Sequence, residues 1–182
     1  AYFTLNDDNF QGGVGNYTLK ASCGSDPNEC DWVSVDNDGK VTFDGDATTA
    51  KKTVTITAMP KNGGDPLTYK FTVSRWFTNQ GPSGRNWTDT NEACTTAGLA
   101  LPPPEDLSGE YGVKPKRVIG SLWGEWGDFS NWRAQGWSIG LPYWTAVARS
   151  QDAYFYVYLT DGAVGYNLVT VTATYGVCVR GL

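Results

Sequence analysis

Between Tyr17 and Val73 apolar residues recur at every second position in short runs, and nothing before Ser74 keeps a helical period over ten residues. Tyr17, Leu19 and Ala21 face one way. So do Val41 with Phe43, then Val54, Ile56 and Ala58, then Leu67, Tyr69, Phe71 and Val73. Turn clusters separate the runs: Asp36-Asn-Asp-Gly39, Asp44-Gly-Asp46 and Asn62-Gly-Gly-Asp65. Strands this short, each with one apolar face, must pair into sheets and hide that face against a second layer. Residues 1–74 are therefore predicted to form a small antiparallel sandwich of the immunoglobulin-like kind. Asp36-Asn-Asp-Gly39 has no Glu at the spacing of a calcium-binding EF-hand loop and reads as a hairpin turn.

The pattern changes after Ser74. Seven of the eight Trp lie beyond it, leaving Trp32 alone in the first part. A helix is predicted to start at Thr88 or Asp89, with Glu92 as its capping-box partner and Gly98 as its stop. A second, shorter helix begins at Pro104, a tolerated first-turn proline, and ends near Gly109. Strands are predicted over 121–126, 143–148, 153–160 and 167–180, the last two joined through an Asp161-Gly162 turn. Residues 75–182 thus read as a separate α+β domain. Strand character runs through Thr72-Val-Ser-Arg-Trp-Phe77 without a Gly, Pro or Ser-rich spacer, which predicts a stiff two-domain rod.

Composition removes several kinds of chemistry. The chain of 182 residues contains no His, so Ser-His-Asp and Cys-His catalysis, the HExxH zinc site and an imidazole pH switch are all excluded. A net charge of -5 without a dense basic face argues against nucleic acid as a partner. No stretch approaches the roughly 20 apolar residues that span a bilayer as a helix. Because the chain opens at Ala1, without Met and already in strand-like sequence, it is expected to be a piece of something longer. The four cysteines, Cys23, Cys30, Cys94 and Cys178, lack the CxxC spacing of a zinc site and read as disulfides formed outside a reducing cytosol. Of the three pairings, Cys23–Cys30 with Cys94–Cys178 keeps each bridge within one of the two parts. By loop length these bridges contribute about 2.5 and about 4.6 kcal/mol respectively.

Two sets of motifs resemble known proteins. Trp32-Val-Ser-Val35, Gly39-Lys-Val-Thr-Phe43 and Lys52-Thr-Val-Thr-Ile-Thr-Ala58 resemble the bacterial Ig-like repeats of surface adhesins. Farther on come Arg75-Trp-Phe77, Asn86-Trp-Thr-Asp89, Cys94, Leu101-Pro-Pro-Pro-Glu-Asp-Leu107, Gly120-Ser-Leu-Trp-Gly-Glu-Trp126, Tyr143-Trp-Thr145 and Val177-Cys-Val179. In this order they resemble the C-type-lectin-like tip domain of the intimin and invasin family. The fold this implies is an all-β Ig-like sandwich (1–74) followed by an α+β C-type-lectin-like domain (75–182).

The resemblance further implies a bacterial surface adhesin whose N-terminal β-barrel, absent from this chain, sits in the outer membrane. It implies an extracellular tip that binds a host protein, and a Cys94–Cys178 bridge tying the first helix to the last strand. The partner class is a host surface or secreted protein. An integrin, a delivered bacterial receptor and an immunoglobulin are not distinguished, and the chain itself is expected to be monomeric. Calcium-dependent sugar-binding lectins place carboxylates before the last Cys. Here the stretch from Asn167 to Cys178 has none, so neither metal nor any other cofactor is expected. The integrin-binding branch uses an exposed Asp shortly after the first helix. The first acids after Cys94 are Glu105 and Asp106, so that specificity does not carry over.

The densest contact candidate is Glu125-Trp-Gly-Asp-Phe-Ser-Asn-Trp-Arg-Ala-Gln-Gly-Trp137, where aromatic residues alternate with charged and amide side chains in a loop-like setting. Trp and Arg dominate binding hot spots because they bury large areas while keeping a polar tip. Trp123 and Trp126 are expected in the core. Phe129, Trp132, Arg133, Gln135 and Trp137 are assigned to partner binding, together with Arg149 and Asp152 between two predicted strands. Smaller candidates are the loop tips Ser83-Gly-Arg85 and Lys114-Pro-Lys-Arg117. A rival reading takes Trp132 or Trp137 as sugar-stacking platforms. A third pairs Glu125 with Asp128, or Glu105 with Glu110, as glycosidase carboxylates.

Overall fold

The computed structural model describes residues 1–25, 30–109 and 115–182. The chain divides into two compact units, Ala1–Trp76 together with Leu182, and Phe77–Gly181.

The first unit holds two three-stranded antiparallel sheets. One runs in the order β1 (Tyr2–Thr4), β4 (Lys40–Phe43), β3 (Val33–Val35). The other runs β2 (Tyr17–Cys23), β5 (Thr53–Pro60), β6 (Leu67–Thr72). Strict alternation along β5 turns Val54 and Ile56 inward, against a core that includes Trp32, Val33, Val41 and Ala47, and Ala58 against Phe10 and Tyr17. Trp32 satisfies its indole by donating from Nε1 to the Lys51 carbonyl at 2.9 Å, so the largest core side chain carries no unpaired polar atom. Cys23 and Cys30 form a disulfide that anchors the end of β2 close to this Trp. The β3–β4 connection is a hairpin turn in which the Asp36 carboxylate accepts from the Asp38 and Lys40 amides at 3.0 and 2.9 Å. In β6 the alternation holds but the burial does not. This is an edge strand, and only Phe71 packs on the core while Leu67 and Tyr69 stay exposed.

In the second unit β8 (Tyr143–Ser150), β9 (Ala153–Val157) and β10 (Val164–Leu168) form an antiparallel sheet in the order β10-β9-β8. A two-stranded sheet pairs β11 (Val177–Gly181) with β7 (Arg75–Asn79). Adjacent residues of β8 point to opposite faces. Trp144 joins Cys94, Leu101 and Cys178 in one cluster, while Tyr143 joins Leu107, Leu122, Phe129 and Val157 in another. The first cluster is roofed by α1 (Trp87–Thr96), bolted to β11 by the Cys94–Cys178 disulfide. The second is roofed by two single-turn helices, α2 (Pro104–Ser108) and α3 (Leu122–Trp126), and by a 3-10 stretch over Phe129–Gln135.

Three local expectations are corrected. Helix α1 starts at Trp87, one or two residues before the expected Thr88 or Asp89, because Asn86 rather than Asp89 with Glu92 caps it: Oδ1 accepts from the Asp89 amide at 2.8 Å, and Nδ2 donates to the Asp89 carboxylate at 2.9 Å. Its end is as predicted, with Gly98 at φ +71° and a Schellman pair of hydrogen bonds, Gly98 N to Thr95 O at 3.0 Å and Leu99 N to Cys94 O at 2.9 Å. The predicted strand at 121–126 is instead α3, because Ser121 Oγ caps the Gly124 amide at 3.0 Å and Gly127, at φ +69°, closes the turn.

The long strand predicted over 167–180 survives only at its two ends, 167–168 in β10 and 177–180 in β11. Between them the β-branched run spends its backbone on other layers. The Thr174 carbonyl accepts from Arg85 N, that of Val169 from Trp87 N and that of Tyr175 from Trp144 N. These cross-layer bonds satisfy the same groups that a sheet ladder would have used.

Candidate binding surface

The 3-10 stretch begins where Asp128 Oδ1 accepts from the Ser130 amide at 2.8 Å, and it ends at Gly136, whose φ of +84° only glycine adopts freely. This one turn sorts the predicted contact residues. Phe129, 2% exposed, is a core side chain, and its assignment to partner binding is corrected: it plugs the cluster formed by Leu107, Tyr143 and Val157. Trp137 is half-buried, edge-on to Phe129 with ring centroids 4.8 Å apart and tilted against Tyr143 at 5.9 Å. Trp132 is half-buried and edge-on to Trp126 at 5.3 Å. Arg133 and Gln135, on the outward side of the turn, are exposed. Trp123 and Trp126, expected in the core, are partly buried against the same cluster.

Tyr143 locks the base of this surface. Its hydroxyl donates to the Ser138 carbonyl at 2.9 Å and accepts from the Ser138 amide at 3.0 Å, and burial pushes its pKa up to about 12.

Arg149 and Asp152 lie exposed at the hairpin between β8 and β9. They are not brought together with the 3-10 stretch. Trp137 touches Tyr143 at the start of β8, and Arg149 comes six residues later, about 20 Å along an extended strand. The Arg149 guanidinium stacks over the Tyr166 ring, 3.8 Å from its centroid. Sequence reasoning missed Tyr166 and Leu168, which are among the most exposed large apolar side chains of this unit, along with Ile119. The period-two series Val164, Tyr166, Leu168 would have found them, had the strand not been started at Asn167.

The remaining candidates have local structural duties. In the Ser83-Gly-Arg85 tip Ser83 is exposed and the other two residues are tied down: a Cβ at Gly84 would collide with the Thr172 carbonyl, and Arg85 N donates to Thr174 O at 2.8 Å. In the basic Lys114–Arg117 stretch, Lys114 lies outside the described residues. Arg117 donates from Nε and Nη2 to the carbonyls of Gly124 and Glu125, at 2.8 and 3.0 Å, at the end of α3. The Glu125 carboxylate accepts from the Gly120 amide at 2.8 Å, and Asp128 caps the 3-10 turn as above. The alternative carboxylate pair cannot be placed, since Glu110 lies outside the described residues.

Residues 1–71 match the family described as Invasin, domain 4. Over 164 residues, 89% of its length, the chain is 30% identical to the inverse autotransporter adhesin YeeJ of Escherichia coli K12. It spans 6% of the length of that relative. Its fold is similar to the crystal structure of invasin, a bacterial integrin-binding protein, with a TM-score of 0.78 at 23% identity, over 100% of this chain and 34% of that one. It is also similar to a C-terminal fragment of intimin crystallised with the intimin-binding domain of the translocated intimin receptor. There the TM-score is 0.63 at 18% identity, over 92% of this chain and 54% of that one. The shared architecture is an Ig-like domain followed by a C-type-lectin-like domain.

Proposed function

Since the chain belongs to the intimin and invasin family of adhesins, we propose that it serves in cell adhesion as the distal part of a bacterial surface adhesin. In this reading the lectin-like domain attaches to a host protein without calcium and without catalysis. The Ig-like domain is a rigid spacer that carries it away from an outer membrane anchored by a segment outside this chain.

The observation that carries the calcium-independent part is the commitment of the Asn167–Cys178 stretch. It contains no carboxylate, and its carbonyls at Val169, Thr174 and Tyr175 already accept from Trp87, Arg85 and Trp144. Thr174 is wholly buried, and Asn167 Nδ2 donates to its hydroxyl at 3.4 Å. A calcium ion needs six to eight oxygen ligands, and this segment has few to offer. Protein rather than sugar as the partner is favoured by the packing of Trp132 and Trp137, whose rings lean on Trp126, Phe129 and Tyr143 instead of offering free platforms.

Beads coated with the chain are expected to attach to cultured host cells equally well in calcium and in EDTA. Attachment should fall after the cells are treated with protease and persist after their glycans are trimmed. Attachment that required calcium, or that survived proteolysis and vanished on deglycosylation, would overturn the reading. A scattering profile of two independently tumbling domains would remove the rigid spacer from it.

A further inference from the structure

The face of the β8–β10 sheet that carries Tyr143 is roofed over only part of its length. Val157 and its register partner Val164 pack under Leu107, Leu122 and Phe129. Two residues farther along β10, on the same face by the period of two, comes Tyr166, opposite Phe155; two more bring Leu168, opposite Ala153. Here the roof has ended: Tyr166 is 51% and Leu168 57% exposed. Two neighbouring large side chains are thus left half in water, and covering their apolar surface is favourable.

Arg149 reaches this strip from β8 and lies over the Tyr166 ring. Stacking uses the face of the guanidinium and leaves its in-plane N–H groups pointing outward. Among the described residues no carboxylate or carbonyl accepts from them, and the ion pair found is Lys51–Asp31, in the other unit. A stacked arginine has already lost much of its rotamer freedom, so a bidentate contact with a carboxylate costs less ordering than it would for a free one. Asp152, exposed on the same hairpin, provides no such contact.

On the premise that the partner is a protein, we infer that Arg149, Tyr166 and Leu168 form one anchor point for it. This point receives a segment in which an acidic side chain adjoins an apolar one. The carboxylate takes the guanidinium fork, and the apolar side chain covers Tyr166 and Leu168. A tyrosine ring with an arginine stacked on it combines two of the residue types in which binding hot spots are enriched.

The test selects binders to the whole chain from a random peptide library displayed on phage. Enriched sequences are expected to place Asp or Glu beside Leu, Ile or Phe, and the synthetic peptides to shift the amide resonances of 149, 166 and 168. Arg149→Ala and Tyr166→Ser should each weaken these peptides roughly tenfold or more. Arg149→Lys should recover part of the loss, since it keeps the charge without the fork. Unchanged thermal melting of the variants separates loss of contact from loss of fold. Enrichment without acidic–apolar pairs, undiminished binding to Arg149→Ala and Tyr166→Ser, or glycan-array binding lost in Tyr166→Ser would overturn the inference. Protease-sensitive attachment to host cells that Tyr166→Ser left untouched would sink the anchor alone. Protease-insensitive attachment would sink the premise with it.

Discussion

Trp87 lies flat on Tyr154, with ring centroids 3.7 Å apart and planes 17° from parallel. Trp87 is the first residue of α1 and Tyr154 belongs to β9, so the stack presses the start of the helix onto the sheet. The Trp87 indole also donates from Nε1 to the Thr145 carbonyl on β8 at 2.9 Å. Trp87→Ala is therefore expected to destabilise the second domain by about 3 kcal/mol, near the lower end for aromatic truncation because the ring is half-buried. Trp87→Phe keeps a stacked ring and loses mainly the hydrogen bond, about 1 kcal/mol. Urea midpoints of the two variants make the comparison. Equal losses would mean that the stack itself contributes little.

The two disulfides are expected to differ in both accessibility and effect. Cys94 and Cys178 are wholly buried and stand 84 residues apart, whereas Cys30 is half-buried and lies 7 residues from Cys23. Under mild reductant without denaturant, thiol labelling should reach Cys23 and Cys30 first. Replacing Cys94 and Cys178 together by Ala should cost about 3–5 kcal/mol, against about 2.5 for the short bridge. Labelling of Cys94 at the rate of Cys30 would show that the α1–β11 junction opens readily and that burial does not protect it.

The first domain was legible because its strands are short and half-buried: Val54, Ile56 and Ala58 announce one face, and the turn residues between strands announce the reversals. The second domain was legible where a local device decides the structure, as with Gly98 ending α1 or Asp161-Gly162 turning β9 into β10. In that turn the Asp161 carboxylate accepts from the Ala163 amide at 2.9 Å. It was illegible where a local cap outweighs the residue types that follow it, and where tertiary partners decide. Leu122-Trp-Gly-Glu-Trp126 has strand-like aromatics but obeys the Ser121 cap. Val169-Thr-Val-Thr-Ala-Thr174 has strand-like branching but bonds to the α1 approach instead.

The same limit applies to the candidate surface. Phe129 and Arg133 look alike as loop residues, and only the 3-10 turn sends one inward and the other out. Arg149 was identifiable as a hairpin residue, but its stacking on Tyr166 depends on a partner on the far side of β9.

Tyr143 predicts an alkaline limit to stability. A tyrosine in the unfolded chain ionises near pH 10, whereas burial holds this one protonated up to about pH 12. Between those values the unfolded state has shed the proton and the native state retains it, so stability falls as pH rises through that window and is unaffected below it. The drop amounts to about 2–3 kcal/mol. Tyr156, whose pKa burial also raises, adds to it in the same direction. Tyr143→Phe should be less stable at neutral pH by about 1–3 kcal/mol, because both polar groups of Ser138 lose their partner, yet it should lose less on going from pH 9 to 11.5. Denaturation midpoints that fall in parallel for the two proteins would assign the alkaline limit to other groups.

The 3-10 turn allows fold and contact to be separated within seven residues. Phe129 fills the space among Leu107, Tyr143 and Val157, so Phe129→Ala leaves a cavity there and is expected to cost about 3–5 kcal/mol. Any loss of attachment in that variant should track its loss of native structure and be recovered on cooling or in stabilising osmolyte. Arg133 and Gln135 stand in solvent on the opposite side, and Arg133→Ala with Gln135→Ala should leave the melting temperature nearly unchanged, within about 0.5 kcal/mol. If this turn touches the partner, the double variant weakens attachment at full stability. If attachment is untouched, these two side chains are scaffold, and the β8–β10 end of the domain, about 20 Å away, is the next surface to test.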